Sequence, residues 1–165
     1  MPVTSYQKPA TRNRQTQLRI VIRIIFPSYN FKIKRKDNKE IIFDEVRRKW
    51  VALTPEEWVR QNFLQYLIQQ KKYPCGLMAV EKKLMANGSP RRCDIVVYKN
   101  EKPWLLTECK EPETALDDKT IWQVLNYNMA LGATYIVITN GISSFCFYIE
   151  NGQVYEMEEL PEYAV

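Results

Sequence analysis

Two short apolar runs carry ionisable side chains, and this combination limits the folds that the chain can adopt. The runs are residues 93–98, which contain Asp94, and residues 104–110, which contain Glu108 and Lys110. Their length and apolar content predict buried strands, where an unpaired charge is costly. Because strand side chains alternate between the two faces of a sheet, Glu108 and Lys110 should lie side by side on one face.

The short link 99–103 suits a β-hairpin between the two predicted strands. A hairpin brings the start of one strand beside the end of the other, so Asp94 should lie near Glu108. Two carboxylates suit a hard cation such as Mg²⁺, and the ammonium of Lys110 can hold a water molecule or a phosphate oxygen. The alternative is a structural ion cluster in which the acids pair with Lys110, but a buried ion pair by itself stabilises a fold poorly.

Apolar periodicity and turn residues predict the other regular elements. Strands are predicted over residues 18–26, 31–35, 40–44, 77–85, 133–139, 145–149 and 153–156, an extended segment over 45–51, and helices over 54–72 and 113–131. Residues 31–44 should form a hairpin with a basic exposed face. Asn87-Gly88 and Asn151-Gly152 are hairpin turn signals, and Gly132 should end the second helix.

The first helix has a clear start signal. Thr54 is the predicted N-cap, Pro55 takes the first helical position and Glu57 completes a capping box. Apolar spacing predicts an inner face made of Val59, Phe63, Tyr66, Leu67 and Gln70.

The order of elements predicts an α/β fold in one domain. From Thr54 onward the order is helix, three meandering strands, helix, strand and strand, and the second helix allows a parallel crossover. A length of 165 residues suits a single domain. We expect residues 30–165 to form it, with a core at 54–150 and an N-terminal β-hairpin extension. Residues 1–29 are expected to be a flexible or partly extended basic arm.

The composition excludes several kinds of chemistry. The chain has no histidine, which removes Ser-His and Cys-His nucleophile pairs and any histidine base. Its four cysteines contain no Cys-x-x-Cys pair, which argues against a zinc site and for a reducing, cytoplasmic environment. No phosphate-binding Gly-x-x-x-x-Gly-Lys-Ser/Thr loop occurs, so no nucleotide cofactor is expected. No run of 18 apolar residues occurs, so no membrane span is expected.

Charge is distributed unevenly along the chain. Residues 1–50 carry 13 Lys and Arg against 4 Asp and Glu, whereas residues 51–165 carry 11 against 15. A basic first third suits a polyanion such as nucleic acid, and an acidic body suits a bound cation. A solvated basic surface without a partner is the alternative.

Several motifs together resemble the PD-(D/E)xK nuclease superfamily. Asp94 is followed after thirteen residues by Glu108-Cys-Lys110. More closely, residues 54–141 resemble the N-terminal nuclease domain of type I restriction enzyme R subunits. The supporting segments are Thr-Pro-Glu-Glu-Trp-Val-Arg-Gln (54–61), Val-Glu-Lys-Lys-Leu (80–84), Arg-Cys-Asp-Ile-Val-Val-Tyr (92–98), Pro-Trp-Leu-Leu-Thr-Glu-Cys-Lys (103–110) and Gln-Val-Leu-Asn-Tyr (123–127).

The resemblance implies a restriction-endonuclease-like core and a Mg²⁺- or Mn²⁺-dependent hydrolysis of DNA phosphodiesters. In this interpretation Asp94 and Glu108 hold the metal, and Lys110 orients the attacking water and stabilises charge on the phosphate. Glu81 would add a ligand or steer a water molecule, or it is a surface glutamate next to two lysines.

Other residues are candidates on the same grounds. Gln123 and Tyr127 are four apart on one helix face, where Gln123 would shape the catalytic site and Tyr127 would contact the DNA backbone, unless this face simply packs on the sheet. Basic side chains that would contact phosphates, if they are not merely solvated, are Lys82, Lys83, Arg60, Arg91 and Arg92.

The expected partners are DNA and, depending on assembly, a second copy of the chain or the subunits of a restriction complex. One rival interpretation is a non-catalytic module that binds nucleic acid or a restriction complex through the same fold. A second rival is a structural or assembly protein whose basic N-terminal hairpin docks on a partner other than DNA.

Overall fold

The computed structural model describes Val21, Ile24 and residues 26–164, and within them the fold is mixed α/β. Two helices and two sheets form this part of the chain. The strands are β1 (Ile33–Lys36), β2 (Lys39–Asp44), β3 (Lys49–Ala52), β4 (Met78–Ala86), β5 (Ser89–Lys99), β6 (Lys102–Cys109), β7 (Tyr135–Thr139), β8 (Ser144–Glu150) and β9 (Gln153–Met157), and the helices are α1 (Pro55–Gln65) and α2 (Asp118–Leu131).

The first sheet is antiparallel, in the order β1-β2-β3. Asp37 and Asn38 both have positive φ, as a two-residue turn of type I′ requires. The predicted basic hairpin is therefore confirmed. The extended segment predicted at 45–51 is only partly correct, because residues 45–48 form a turn before β3.

The second sheet has six strands, in the order β4-β5-β6-β7-β8-β9. Only β6 and β7 pair in parallel, and α2 makes the crossover between them. The three-strand meander and the crossover predicted from the sequence are confirmed. The hairpin turns at Asn87-Gly88 and Asn151-Gly152 are confirmed as well, with positive φ at all four residues.

Helix α1 starts as predicted and then changes its winding. The Thr54 hydroxyl accepts a hydrogen bond from the Glu57 backbone N–H at 3.0 Å, and Pro55 is the first helical residue. Residues Tyr66–Gln70 form a π-helical turn. Since this turn alters the helical spacing, Gln70 is exposed, and its predicted place on the inner face is wrong. The other four predicted inner-face residues are buried.

Helix α2 begins at Asp118, later than the predicted start at 113. The Asp117 carboxylate caps it by accepting from the Thr120 N–H at 2.8 Å. The Thr114 carbonyl accepts a hydrogen bond from the Asn140 side chain at 3.0 Å, and residues 111–114 form a turn instead of helix. Gly132, with φ of +72°, ends the helix as predicted.

The two helices cover opposite faces of the six-stranded sheet. Core residues of α1 pack with Ile95, Val97 and Leu105, whereas core residues of α2 pack with Ile136 and Ile138. This alternation follows the period of two along each strand. The site described below lies where charged residues interrupt these apolar faces.

Most of the predicted strand at 18–26 and most of the predicted basic arm at 1–29 lie outside the described residues, and Val21 and Ile24, which are described, are not in a strand. Phe26, which is described, is not in a strand, and its ring packs edge-on against Tyr66 at 6.1 Å. Neither α1 nor α2 has the length and apolar content that a bilayer-crossing helix needs.

Candidate active site

Asp94 is held at the point where the pairing of β5 with β6 stops. The last backbone pair of the two strands is Ile95 with Thr107. Beyond this pair, Asp94 Oδ2 accepts a hydrogen bond from the Cys109 N–H at 2.7 Å. The other oxygen, Oδ1, accepts from Arg60 Nη2 of α1 at 2.8 Å. The carboxylate therefore connects the end of β6 to α1.

Glu108 and Lys110 lie side by side, as the strand alternation predicts. Lys110 Nζ donates to Glu108 Oε1 at 2.8 Å. Tyr127, on α2, donates its hydroxyl to Glu108 Oε2 at 3.2 Å. Both oxygens of Glu108 are thus oriented by neighbours from different elements, and this fixes the direction of the carboxylate.

The electrostatics of these groups are coupled. Burial raises the pKa of Glu108, and the nearby charge of Asp94 raises it further, against the opposing effect of Lys110. Burial works to lower the pKa of Lys110, but the hydrogen bond and charge of Glu108 outweigh it, so this pKa is raised. Burial also raises the pKa of Tyr127, which therefore stays a hydroxyl donor. Lys110 is a cation at neutral pH.

Glu81 is placed across from Asp94 in an irregular stretch of β4. Pairing with β5 passes from Val80 with Ile95 to Lys82 with Cys93, and Glu81 between them has a φ of +54°. A positive φ is uncommon for a residue other than glycine. The side chain of Glu81 forms ion pairs with three arginines: Arg47 at 2.5 Å, Arg60 at 3.8 Å and Arg92.

Glu57 forms a charged cluster with Glu81, Arg47 and Arg60 instead of turning back to the helix cap. Its Oε1 accepts from Arg47 at 2.5 Å and from Gln61 at 2.8 Å, and its Oε2 accepts from Arg60. The Thr54 N–H, which a capping box would give to Glu57, donates to the Ala52 carbonyl. The predicted capping box is therefore only half present.

Arg47 and Asp44 were not anticipated as members of this cluster. The buried carboxylate of Asp44 accepts from the Arg47 backbone and from its Nε, at 2.6 and 2.7 Å, and from Gln61 at 2.6 Å. Arg47 lies in the turn before β3, distant in sequence from Glu81. The helical spacing of Glu56 and Glu57 to Arg60 was a local signal that could have indicated part of the network.

Gln123 and Arg91 line a cleft that also includes Tyr127, the hydrogen-bond donor to Glu108. The cleft has a volume of about 630 Å³ and lies between the β4–β5 turn and α2. Tyr127 reaches from it to Glu108, whereas Gln123 is exposed on the helix surface. Lys82, Lys83, Arg91 and Arg92 are exposed along β4 and β5.

The donor set is compatible with a hard cation. Among the described residues, no three His, Cys, Asp or Glu side chains are grouped as metal ligands. Mg²⁺, however, is commonly held by one or two carboxylates, with water and substrate phosphate oxygens completing its shell. The contacts of Asp94 and Glu108 given above leave lone pairs free on both carboxylates. Asp94 and Glu108 therefore fit such a cation.

Comparison with known protein families gives a match over much of the chain. Residues 55–161, about two thirds of the chain, match the sequence model of the family described as type I restriction enzyme R protein N terminus. Neither a curated protein nor a solved structure matches the chain significantly.

Proposed function

The chain belongs to the family of type I restriction enzyme R protein N termini, and from this premise we propose that it is a metal-dependent nuclease that hydrolyses DNA phosphodiester bonds. The observation that carries the proposal is the convergence of Asp94, Glu108 and Lys110 around the end of β6. The contacts of Asp94 with the Cys109 N–H and of Lys110 with Glu108 support it. The fold assignment that accompanies it is a restriction-endonuclease-like core of the PD-(D/E)xK superfamily.

Asp94 and Glu108 would hold the ion, Mg²⁺ or Mn²⁺. Bound there, it would supply an activated water molecule and would stabilise the leaving oxygen. The protein contributes orientation, because Cys109, Lys110 and Tyr127 each fix a carboxylate oxygen by a hydrogen bond. Orientation of this kind preserves the geometry that a divalent ion demands.

Lys110 would act on the phosphate. Its ammonium lies 2.8 Å from Glu108, half-buried, so it remains charged and positioned. A cation that is fixed before the reaction stabilises the charge that develops on a pentacovalent phosphate. No histidine is needed for this chemistry, in keeping with the composition.

Other residues would guide the nucleic acid. The cleft beside α2 would place Gln123 close to the reacting phosphate and Tyr127 behind Glu108. Contacts to the DNA backbone would come from the exposed basic side chains of the β4–β5 hairpin, Lys82, Lys83, Arg91 and Arg92. Glu81 would serve as an additional ligand or would steer water after release from its arginines.

Family membership suggests the setting. We propose that DNA is the substrate, that the protein acts with restriction-complex subunits or as a homodimer, and that it works in the cytoplasm. A dimer would provide two sites for cutting two strands.

Calorimetric titration with Mg²⁺ tests the site. The parent and the double variant Asp94→Asn/Glu108→Gln are titrated with and without a DNA duplex, and cleavage of supercoiled plasmid is followed in parallel. We expect the double variant to lose both Mg²⁺ binding and cleavage. The matched control is Glu101→Gln/Glu113→Gln, which removes the same charge from two exposed residues and should behave like the parent.

A second candidate function is a non-catalytic module that binds nucleic acid or a restriction complex. It is favoured by the arginine contacts of two proposed ligands, since Arg60 holds Asp94 and Arg47 holds Glu81. In that case the acids would serve an ion network rather than a metal. DNA binding without Mg²⁺ binding, in the parent as in the double variant, would support this module and contradict the nuclease.

A further inference from the structure

The N-terminal sheet presents a row of lysines on its outer face. Pairing places Lys34 across from Ile41 and Lys36 across from Lys39, and side chains of paired residues lie on the same face. Lys32 joins this row, because its carbonyl accepts from the Phe43 N–H and its ammonium lies over the Phe43 ring. We define the outer lysine face by Lys32, Lys34, Lys36 and Lys39, with Phe43 and Trp50.

Acidic residues of β1–β3 lie on the other face. Glu40 and Asp44 alternate with Lys39 and Phe43 along β2. Asp44 is fully buried and is held by Arg47, which also contacts Glu57 of α1. The inner face is thus anchored to the body of the protein. Within the described strands, the charged side chains of the outer face are all cations.

Two aromatic rings support the lysines. Lys34 Nζ lies 4.0 Å from the centroid of the Trp50 ring, and Lys32 Nζ lies 5.4 Å from that of Phe43. The two rings contact each other edge to face, with centroids 5.5 Å apart. Cation–π contact restrains a long flexible side chain while its charged end stays in water. The four lysines are all exposed.

We propose that the outer lysine face binds the phosphate backbone of DNA at a place separate from the cutting site. A row of cations without carboxylates complements a row of phosphate monoanions, and residues two apart on a strand are about 7 Å apart. Trp50 is 38% exposed, but four exposed lysines surround the two rings, so the face offers mainly positive charge. Binding of DNA at this face goes beyond the proposed cleavage reaction and does not depend on the metal site.

Salt-dependent DNA binding tests the proposal. Anisotropy of a short labelled duplex is measured with the full chain in EDTA, between about 50 and 200 mM salt. Lys34→Gln/Lys36→Gln should weaken binding roughly tenfold and reduce the salt slope by about two. The matched control is Arg35→Gln/Lys49→Gln, which removes two exposed charges from the opposite face of the same sheet and should retain most of the affinity.

Equal losses in the two variants, or none in either, would overturn the proposal. Thermal unfolding of both variants verifies that the sheet remains folded. Lys36→Gln alone leaves the contact of Lys34 with Trp50 intact and gives a second measurement of DNA affinity. Vesicles containing phosphatidylserine and a poly-glutamate peptide are titrated as well. A loss confined to vesicles or to the peptide would assign the face to a membrane or an acidic protein instead. Because cleavage is not measured, failure here is distinct from failure of the nuclease.

Discussion

Arg60 and Asp94 form a buried ion pair, with Arg60 Nη2 2.8 Å from Asp94 Oδ1. Only 4% of the Arg60 side chain is exposed. The same guanidinium contacts Glu56 and Glu57 one turn earlier on α1. Its pKa is raised, because the neighbouring carboxylates outweigh the effect of burial. Arg60 therefore balances the negative charge of the proposed metal site while no metal is bound.

Replacement of Arg60 should be costly to the fold. In Arg60→Gln, Glu57 and Asp94 lose a buried cation, and breaking a buried pair by removing one partner costs about 3–5 kcal/mol. The measurement is the midpoint of guanidinium unfolding in EDTA. Arg35→Gln, at an exposed position on β1, should change the midpoint little.

The same variant should respond more strongly to Mg²⁺. Because the site then carries an uncompensated negative charge, Mg²⁺ should bind Arg60→Gln more tightly than the parent and raise its unfolding midpoint further. Weaker binding in the variant would show that Arg60 holds Asp94 in its ligand position instead of competing with the ion.

Glu108→Gln should stabilise the metal-free protein at neutral pH. Burial raises the folded-state pKa of Glu108 above its unfolded value, and Asp94 adds to the shift. The stability contributed by protonated Glu108 is therefore complete below the ordinary pKa of about 4.3 and is lost as pH rises through the folded pKa. A neutral glutamine avoids this loss.

Thermal unfolding in EDTA across the acidic to neutral range measures this effect. The advantage of Glu108→Gln should shrink as pH falls towards about 4, with about 2–4 °C corresponding to each kcal/mol. Glu101→Gln, in an exposed turn, serves as the control. A lower unfolding temperature of Glu108→Gln at neutral pH would mean that Lys110 stabilises the ionised carboxylate by more than burial costs.

Thiol labelling should distinguish Cys75 from the other cysteines. Cys75 is exposed, whereas Cys93, Cys109 and Cys146 are buried. Burial raises the pKa of Cys93 to about 11 and that of Cys146 to about 12, and it raises the pKa of Cys109 well above the ordinary value. At a pH of about 8, these three thiols are almost entirely protonated.

The expected count is one reactive thiol in the native protein and four after unfolding. Cys75→Ser should remove the native reaction. Partial burial also raises the pKa of Cys75, so its reaction should be slower than that of a free thiol. Rapid labelling of a buried cysteine would show that the sheet opens locally on the labelling timescale.

Alanine at Gly141 should destabilise the fold more than alanine at Gly152. Both glycines have positive φ, +83° and +75°, where alanine costs about 1–2 kcal/mol. At Gly141 the added methyl would also lie 3.1 Å from Val59 Cγ2, whereas nothing lies within 4 Å at Gly152. Urea unfolding of the two variants measures the difference. Equal losses would mean that α1 shifts to accommodate the methyl group.

The sequence predicted the fold best where local chemistry decides the structure. The turn at Asn87-Gly88 and the end of α2 at Gly132 need positive φ, which these residues adopt readily. The start of α2 was wrong, because the side chain of Asn140 determines the conformation of the segment before Asp117. That contact joins residues distant in sequence, and the spacing of apolar residues along the chain cannot predict it.

The same division applies to the candidate site. The nearness of Glu108 and Lys110 follows from strand alternation alone, and Asp94 was assigned to the same sheet end from the hairpin. The contacts of the arginines with these acids were not predicted. Arg47 reaches Glu57 and Glu81 only once the first sheet has docked, and no short-range pattern indicates such a contact.

The position of Arg47 also bears on which fragments of this chain can fold alone. The segment matched to the family begins at residue 55, yet a fragment starting there would lack Arg47 and leave Glu57 and Glu81 without this shared partner. The boundary of sequence similarity therefore separates Arg47 from the two carboxylates that it contacts. The turn between β2 and β3 supplies Arg47 to the charged cluster. A fragment made for expression therefore needs at least β2 and β3 to reproduce the contacts of Glu57 and Glu81.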